Sequence, residues 1–255
     1  MTNRMELTRS LNELLAPERF KDYGPNGLQV EGCLELRKLV SGVTASLALI
    51  EAAIAARADA ILVHHGLFWR GQDGRVVGWM RQRLALLLAH NVNLYAYHLP
   101  LDAHPELGNN AQLGLKLGLQ INSRFGEQDL GCMGTTGPQG SIALPGNAQQ
   151  LAVQIEAITK RPVILVGSGN KAIKNIAWCT GGAQNYFEPA IAAGADVFIT
   201  GEISEPQTHL ARETGVCFIA CGHHASERYG APAVASAVAS QLGLDHEFID
   251  IDNPA

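Results

Sequence analysis

The chain has 255 residues, 47% of them hydrophobic and 17% charged, with a formal net charge of -5. That balance excludes a disordered chain and offers no basic footprint for nucleic acid. The five cysteines, Cys33, Cys132, Cys179, Cys217 and Cys221, include no Cys-x-x-Cys pair, which argues against a disulfide framework and against a thiolate zinc site.

Residues 1–10 are polar and lack the apolar core of a signal peptide. No stretch nears the roughly 20 apolar residues of a membrane helix. The expectation is a soluble, reduced, cytoplasmic protein with no membrane partner. An amphipathic helix is expected over 3–15, then a turn-rich loop over 22–30 in which Pro25-Asn26-Gly27 supplies unusual backbone angles. Next come a strand at 39–44, an alanine-rich helix at 47–57 and a buried strand at 60–63 that empties into a loop at His64-His65. A helix at 81–90, a strand at 92–97 and a helix at 109–117 follow. Strands alternating with helices of this length predict an α/β fold.

The same order then recurs. Residues 176–180 match the first strand, with Thr180 against Thr44, and 186–193 match the first helix. Ala195-Asp196 matches Ala58-Asp59, 197–200 matches 60–63, and 216–221 matches 92–97. An internal duplication follows, with a first lobe over 1–120 and a second over 121–255 that joins a connecting region to the second repeat. Segment 119–174 is richer in Gly and Pro, with 131–140 read as loop and strand.

The polar residues gain meaning from this repeat. His98 is followed four residues later by Asp102, and His223 four residues later by Glu227, each after the third strand of its copy. Behind the second strand, His65 corresponds to Glu202. In open α/β sheets ligands gather at the carboxyl ends of strands. Two facing copies would bring His64, His65, Asp102, His223 and Glu227 together. Three imidazoles with two carboxylates and no thiolate suit a pair of divalent ions, of zinc, iron, manganese or nickel. Adjacent strand residues point to opposite faces, so His64 and His65 serve two ions more naturally than one. Each residue has a plainer reading. Asp102 can cap a turn, Glu227 can sit in a helix first turn for the dipole, and Glu202 can be a solvated side chain on the surface. His98 reads as a proton shuttle, a neighbour of the ligands or a packed side chain. Cys221 is either within reach of the site or buried and inert.

The runs Tyr23-Gly24-Pro25-Asn26-Gly27-Leu28-Gln29-Val30-Glu31-Gly32, Val63-His64-His65-Gly66, His98-Leu99-Pro100-Leu101-Asp102 and Gly222-His223-His224-Ala225-Ser226-Glu227-Arg228 resemble the Nif-three-like dinuclear metal centre family, whose members are also described as GTP cyclohydrolase I type 2 homologues. The resemblance implies two intertwined α/β lobes with mixed sheets, a metal site in the cleft between them and a ring-shaped homohexamer. It implies His64, His65, Asp102, His223 and Glu227 as metal ligands. The function expected is metal-dependent hydrolysis of a nucleotide-like small molecule, with His98 or Glu202 moving protons. The alternative is a non-enzymatic metal-binding scaffold, metal chaperone or regulator.

Overall fold

A computed structural model describes residues 2–136 and 145–255. Its strands in the first part of the chain are β1 (Thr2–Asn3), β2 (Gly27–Val30), β3 (Glu35–Leu36), β4 (Lys38–Thr44), β5 (Ala60–His65) and β6 (Asn93–Ala96). Then come β7 (Leu119–Phe125), β8 (Gly131–Thr136), β9 (Ile164–Val166), β10 (Ile176–Trp178), β11 (Val197–Thr200), β12 (Cys217–Ala220) and β13 (Asp245–Phe248). The α/β expectation holds, and the sheets are mixed. The chain forms two compact units, Met1–Gly108 with Arg228–Asp252, and Asn109–Glu227 with Asn253–Ala255. The second lobe expected from sequence, 121–255, therefore differs from the observed division. Residues 228–252 complete the first unit, because the apolar face of helix Gly230–Leu242 is buried there.

In the first unit the sheet runs β13-β4-β5-β6-β2, parallel except for β2, which pairs antiparallel with β6. Side chains alternate cleanly across it. Leu39, Ala60, Leu62 and Tyr95 meet Leu7 and Leu11 of helix Arg4–Leu15 and Val234 and Val238 of helix Gly230–Leu242. Val40, Ile61, Val63 and Leu94 meet Leu49, Ile50, Met80 and Leu87 of helices Leu47–Ala55 and Gly78–Ala89. Burial on both faces is why these strands read as continuous apolar runs. The first helix starts where Asn3 and Glu6 form a capping box, which satisfies two of its orphan donors.

Two expectations shift here. The segment 22–30 is not all loop: its second half is β2, joined to β6 with a bulge between Leu28 and Val30. Strand β5 also runs further than 60–63 and carries both histidines, with Thr44 paired to His65. The strand at 197–200 is found where expected. Of the expected loop-and-strand region at 131–140, β8 covers 131–136 and the rest lies outside the described residues.

In the second unit the sheet order is β7-β8-β10-β11-β12-β9, with β10, β11 and β12 parallel and the others antiparallel. Its core holds Trp178, Phe187, Phe198 and Phe218, all fully buried, with Phe187 and Phe218 edge to face at 4.9 Å. The repeat is visible bond by bond. Asp59 accepts from the amides of Arg37 and Lys38, and Asp196 accepts from those of Lys174 and Asn175. The carbonyl of Asp59 then receives the Asn93 N–H, and that of Asp196 the Cys217 N–H, each at 3.0 Å.

The registers correct the sequence match by one residue. Leu39 pairs with Ala60 and Ile176 with Val197, so Thr180 corresponds to Val43, not Thr44. Asn93 pairs with Ala60 and Cys217 with Val197, so His223 stands one place beyond the counterpart of His98, and Glu227 one place beyond that of Asp102. The copies therefore deliver similar side chains from staggered positions. Among the described residues, no helix is long and apolar enough to cross a membrane.

Candidate metal centre

The first unit gathers His64, His65 and His98, whose ligand atoms lie within 4.8 Å of one another. His64 is fully buried at the end of β5, on the Ala60 and Leu62 face. Its ring centroid is 4.5 Å from that of His65 and 4.9 Å from that of His98. The strand alternation that would send adjacent histidines apart is thus relaxed at the end of the strand. Asp102, buried in the short helix Leu99–Ala103, places Oδ1 3.5 Å from His64 Nε2.

Each imidazole here is held by Nδ1. His64 Nδ1 lies 3.1 Å from the Tyr97 carbonyl, an oxygen that can only accept, so Nδ1 carries the proton and Nε2 the lone pair. His65 Nδ1 is 3.1 Å from Thr44 Oγ1. His98 Nδ1 donates to Asp22 Oδ1 at 2.7 Å. This is the arrangement in which protein histidines are oriented for metal ligation, one nitrogen tied to an oxygen and the other presented.

Sequence reasoning missed Asp22. Its carboxylate also accepts from the amides of Tyr23 and Leu99 and from Asn26 Nδ2, and the side chain is only 4% exposed. Burial alone would raise its pKa. The hydrogen bonds from His98, Asn26 and Leu99 outweigh that and hold the carboxyl down at about 2. A folded pKa below the ordinary 3.8 means a contribution to stability that is complete above about pH 4 and lost as pH falls through the folded value. Asp22→Asn is expected to cost about 2 kcal/mol at pH 7. In denaturant titrations its gap to the parent should narrow steadily as pH is lowered from about 4 towards 2. A gap that does not change with pH would show that the charge is not what stabilises the loop.

The second unit brings together His223, Glu227 and Glu202. His223 and Glu227 belong to the short helix His223–Ser226 and its C-cap, right after β12. His223 Nδ1 donates to Glu202 Oε1 at 2.6 Å, and Nε2 is 3.2 Å from Glu227 Oε2. Burial pushes the imidazole pKa down, but the carboxylates of Glu227 and Glu202 overcome this and lift it to about 9. Nε2 and Glu227 thus form a place built to hold positive charge, which a divalent ion satisfies as a proton does. Glu202, expected as a proton carrier, sits on Nδ1 and orients the ring.

Glycines make room for this group. A Cβ on Gly181 would lie 2.0 Å from Glu227 Oε1, and one on Gly201 would lie 2.6 Å from the His223 Cα. The Gly181 N–H donates to Ser226 Oγ, whose hydroxyl donates in turn to the His223 carbonyl. Asn110, buried, accepts the Thr180 N–H on Oδ1 and the Trp178 indole N–H on its carbonyl, fixing the turn into Gly181. The signal in sequence was the pair Gly181-Gly182 just past a strand, a position where backbone approaches a ligand closely.

Elsewhere the plainer readings prevail. Cys221 is fully buried, its Sγ 3.2 Å from the Thr200 carbonyl, and burial pushes the thiol up to about 12, so it is inert. His209 pairs with Glu205 and His246 with Ser41. The donors in the two clusters are nitrogen and oxygen alone, which fits a borderline or hard divalent ion.

Comparison with known proteins identifies the family. The sequence model of Duf34/NIF3 (NGG1p interacting factor 3) matches residues 2–254. A protein of Neisseria meningitidis serogroup A named GTP cyclohydrolase 1 type 2 homolog is 48% identical over 255 residues, covering 100% of both chains. One of the same name from Escherichia coli K12 is 46% identical over 251 residues, 98% of each. A solved structure described as protein ybgI, of unknown function, is 45% identical and superposes with a TM-score of 0.92 over 100% of both chains. A structure from Thermus thermophilus is 32% identical with a TM-score of 0.87, again over 100% of both chains. With matches that run the full length of the sequence, the chain belongs to the Duf34/NIF3 family.

Proposed function

We propose that the chain is a dinuclear metal protein that hydrolyses a nucleotide-like small molecule. His64, His65 and Asp102 of the first unit and His223 and Glu227 of the second would hold two divalent ions of zinc, iron, manganese or nickel. The observation that carries this reading is the common treatment of the histidines, each tied at Nδ1 to an oxygen so that Nε2 is the ligating atom. A hydrolytic ion pair needs several protein ligands per ion. When bound, such a pair polarises the substrate and supplies a strongly acidified water.

The remaining work falls to side chains. Asp22 keeps the His98 proton on Nδ1, so His98 Nε2 is the atom that accepts or returns a proton during turnover. Glu202 holds the His223 ring so that Nε2 keeps its direction. Curated relatives carry the name GTP cyclohydrolase 1 type 2 homolog, which favours a nucleotide as the first substrate to try.

Elemental analysis of the purified protein joined to a nucleotide hydrolysis screen tests the proposal. Two divalent ions per chain are expected, together with a defined product whose formation stops on chelation and resumes when metal is restored. A metal-replete sample that turns over nothing in the screen would sink the hydrolase reading, and leave a non-enzymatic metal-binding role. A chain that holds no metal would sink both.

A further inference from the structure

An imidazole is held no more firmly than the group that holds it. The partner of His223 Nδ1 is Glu202, whose side chain is 46% exposed and stands in the loop between β11 and helix Glu205–Thr214. A glutamate so placed has three side-chain rotations to lose, and one bond to a histidine does not fix its plane. We propose that Gln184 is a positioning residue that acts through Glu202 to hold the His223 ring. This role rests on the reading of His223 as a metal ligand for its purpose, and the positioning itself is testable without metal.

Glu202 is gripped at both oxygens. Oε1 accepts from His223 Nδ1, and Oε2 accepts from Gln184 Nε2 at 3.4 Å. Bonds to both oxygens set the plane of the carboxylate, and with it the line along which the imidazole is held. A carboxylate only accepts, so the amide must turn its donor end towards it. The same Nε2 is 3.4 Å from Ser204 Oγ. The opposite end of the amide, Oε1, is buried and has no hydrogen-bond partner among the described residues. The side chain is therefore aimed by its donor alone.

Gln184 is itself anchored by a second glutamine. Gln207 is buried in the first turn of helix Glu205–Thr214. Its Oε1 accepts the Ser204 N–H at 3.2 Å, as a capping box requires. That leaves its Nε2 to spend, and it donates to the Gln184 carbonyl at 3.2 Å. Gln184, Glu202, Ser204 and Gln207 thus close a ring of bonds between two turns. The backbone joins the same turns where the Gly201 N–H donates to the Gly181 carbonyl at 2.9 Å. Gly182 covers the result, since a Cβ there would be 3.4 Å from His223 Cε1 and 3.6 Å from Glu202 Cδ.

The first measurement uses metal-free protein with nitrogen-labelled histidine. The His223 Nδ1–H should give a downfield proton signal at neutral pH, assigned by its disappearance in Glu202→Ala. Gln184→Met keeps the size and removes the donor, and should broaden that signal through faster exchange with solvent. Gln184→Lys returns a donor and should restore it. Gln184 is half-exposed, so both variants keep the fold of the unit. The second measurement is zinc affinity by chelator competition. Gln184→Met should lower it about tenfold, as losing a group behind a ligand does. In a Glu202→Ala background the same exchange should add no further loss, because Gln184 then has nothing to act on.

An unaltered ring signal in Gln184→Met would overturn the proposal, and so would losses that add in the double variant. The two readings fail separately. Zinc binding with an unaltered ring signal keeps the metal centre and removes the role of Gln184. A broadened signal in a protein that takes up no zinc keeps the role and sinks the metal centre.

Discussion

Gly181→Ala is expected to destabilise the second unit by about 2–4 kcal/mol and, on the dinuclear reading, to lower the metal content of the protein. Two costs add. Gly181 has φ of +74°, where a Cβ costs roughly 1–2 kcal/mol. The new methyl would also stand 2.0 Å from Glu227 Oε1, and Glu227 is only 2% exposed. The backbone has little freedom to retreat. Its N–H is bonded to Ser226, and its carbonyl accepts from the Gly201 amide at 2.9 Å and from the Thr200 hydroxyl. Gly194 provides the control, since it has φ of +86° but no atom within 4 Å of a built Cβ. Gly194→Ala should show the backbone cost alone, with metal binding intact. Unfolding curves and metal content of the two variants side by side decide the matter. Equal effects at both positions would mean that crowding of Glu227 plays no part.

Asp102→Asn is expected to lower metal affinity by more than about 100-fold, beyond what removing an outer-shell partner costs. The substitution keeps size and removes the anionic donor beside His64 Nε2. Metal-free variant and metal-free parent should then unfold at similar temperatures. The parent alone should gain stability when the ion is supplied, because a ligand bound only to the folded state stabilises by mass action. Thermal unfolding with and without chelator, repeated for both proteins, gives the answer. A variant that keeps its ions at equal chelator concentration would remove Asp102 from the ligand set.

The histidines and carboxylates were legible because ligand chemistry is a property of residue type, and because the repeat marked matching strand ends. What holds those residues was much less legible. Asp22 read as part of a turn, since nothing in Asp22-Tyr23-Gly24-Pro25 says that the carboxylate reaches a histidine far along the chain. Thr44 and Tyr97 act on His65 and His64 through a hydroxyl and a carbonyl, and the carbonyl leaves no trace in the sequence. The one-residue slip in matching Thr180 to Thr44 has a similar cause. Similar side chains aligned, while backbone pairing kept its own register. Helix Gly230–Leu242 and β13 were assigned by sequence proximity to the wrong unit, because burial against Leu39 and Leu62 is a long-range property.

That return of the chain sets an order of assembly. Every strand of the second unit's sheet lies between Leu119 and Ala220, so all of them leave the ribosome before Gly230. The first unit waits. Its sheet gains the edge strand β13, and Leu39 and Leu62 gain their cover from Val234 and Val238, only after the whole sheet of the second unit has been made. Contacts that close so long a loop form late and slowly. During synthesis the inserted unit is the one that folds first, and the unit that begins the chain finishes last.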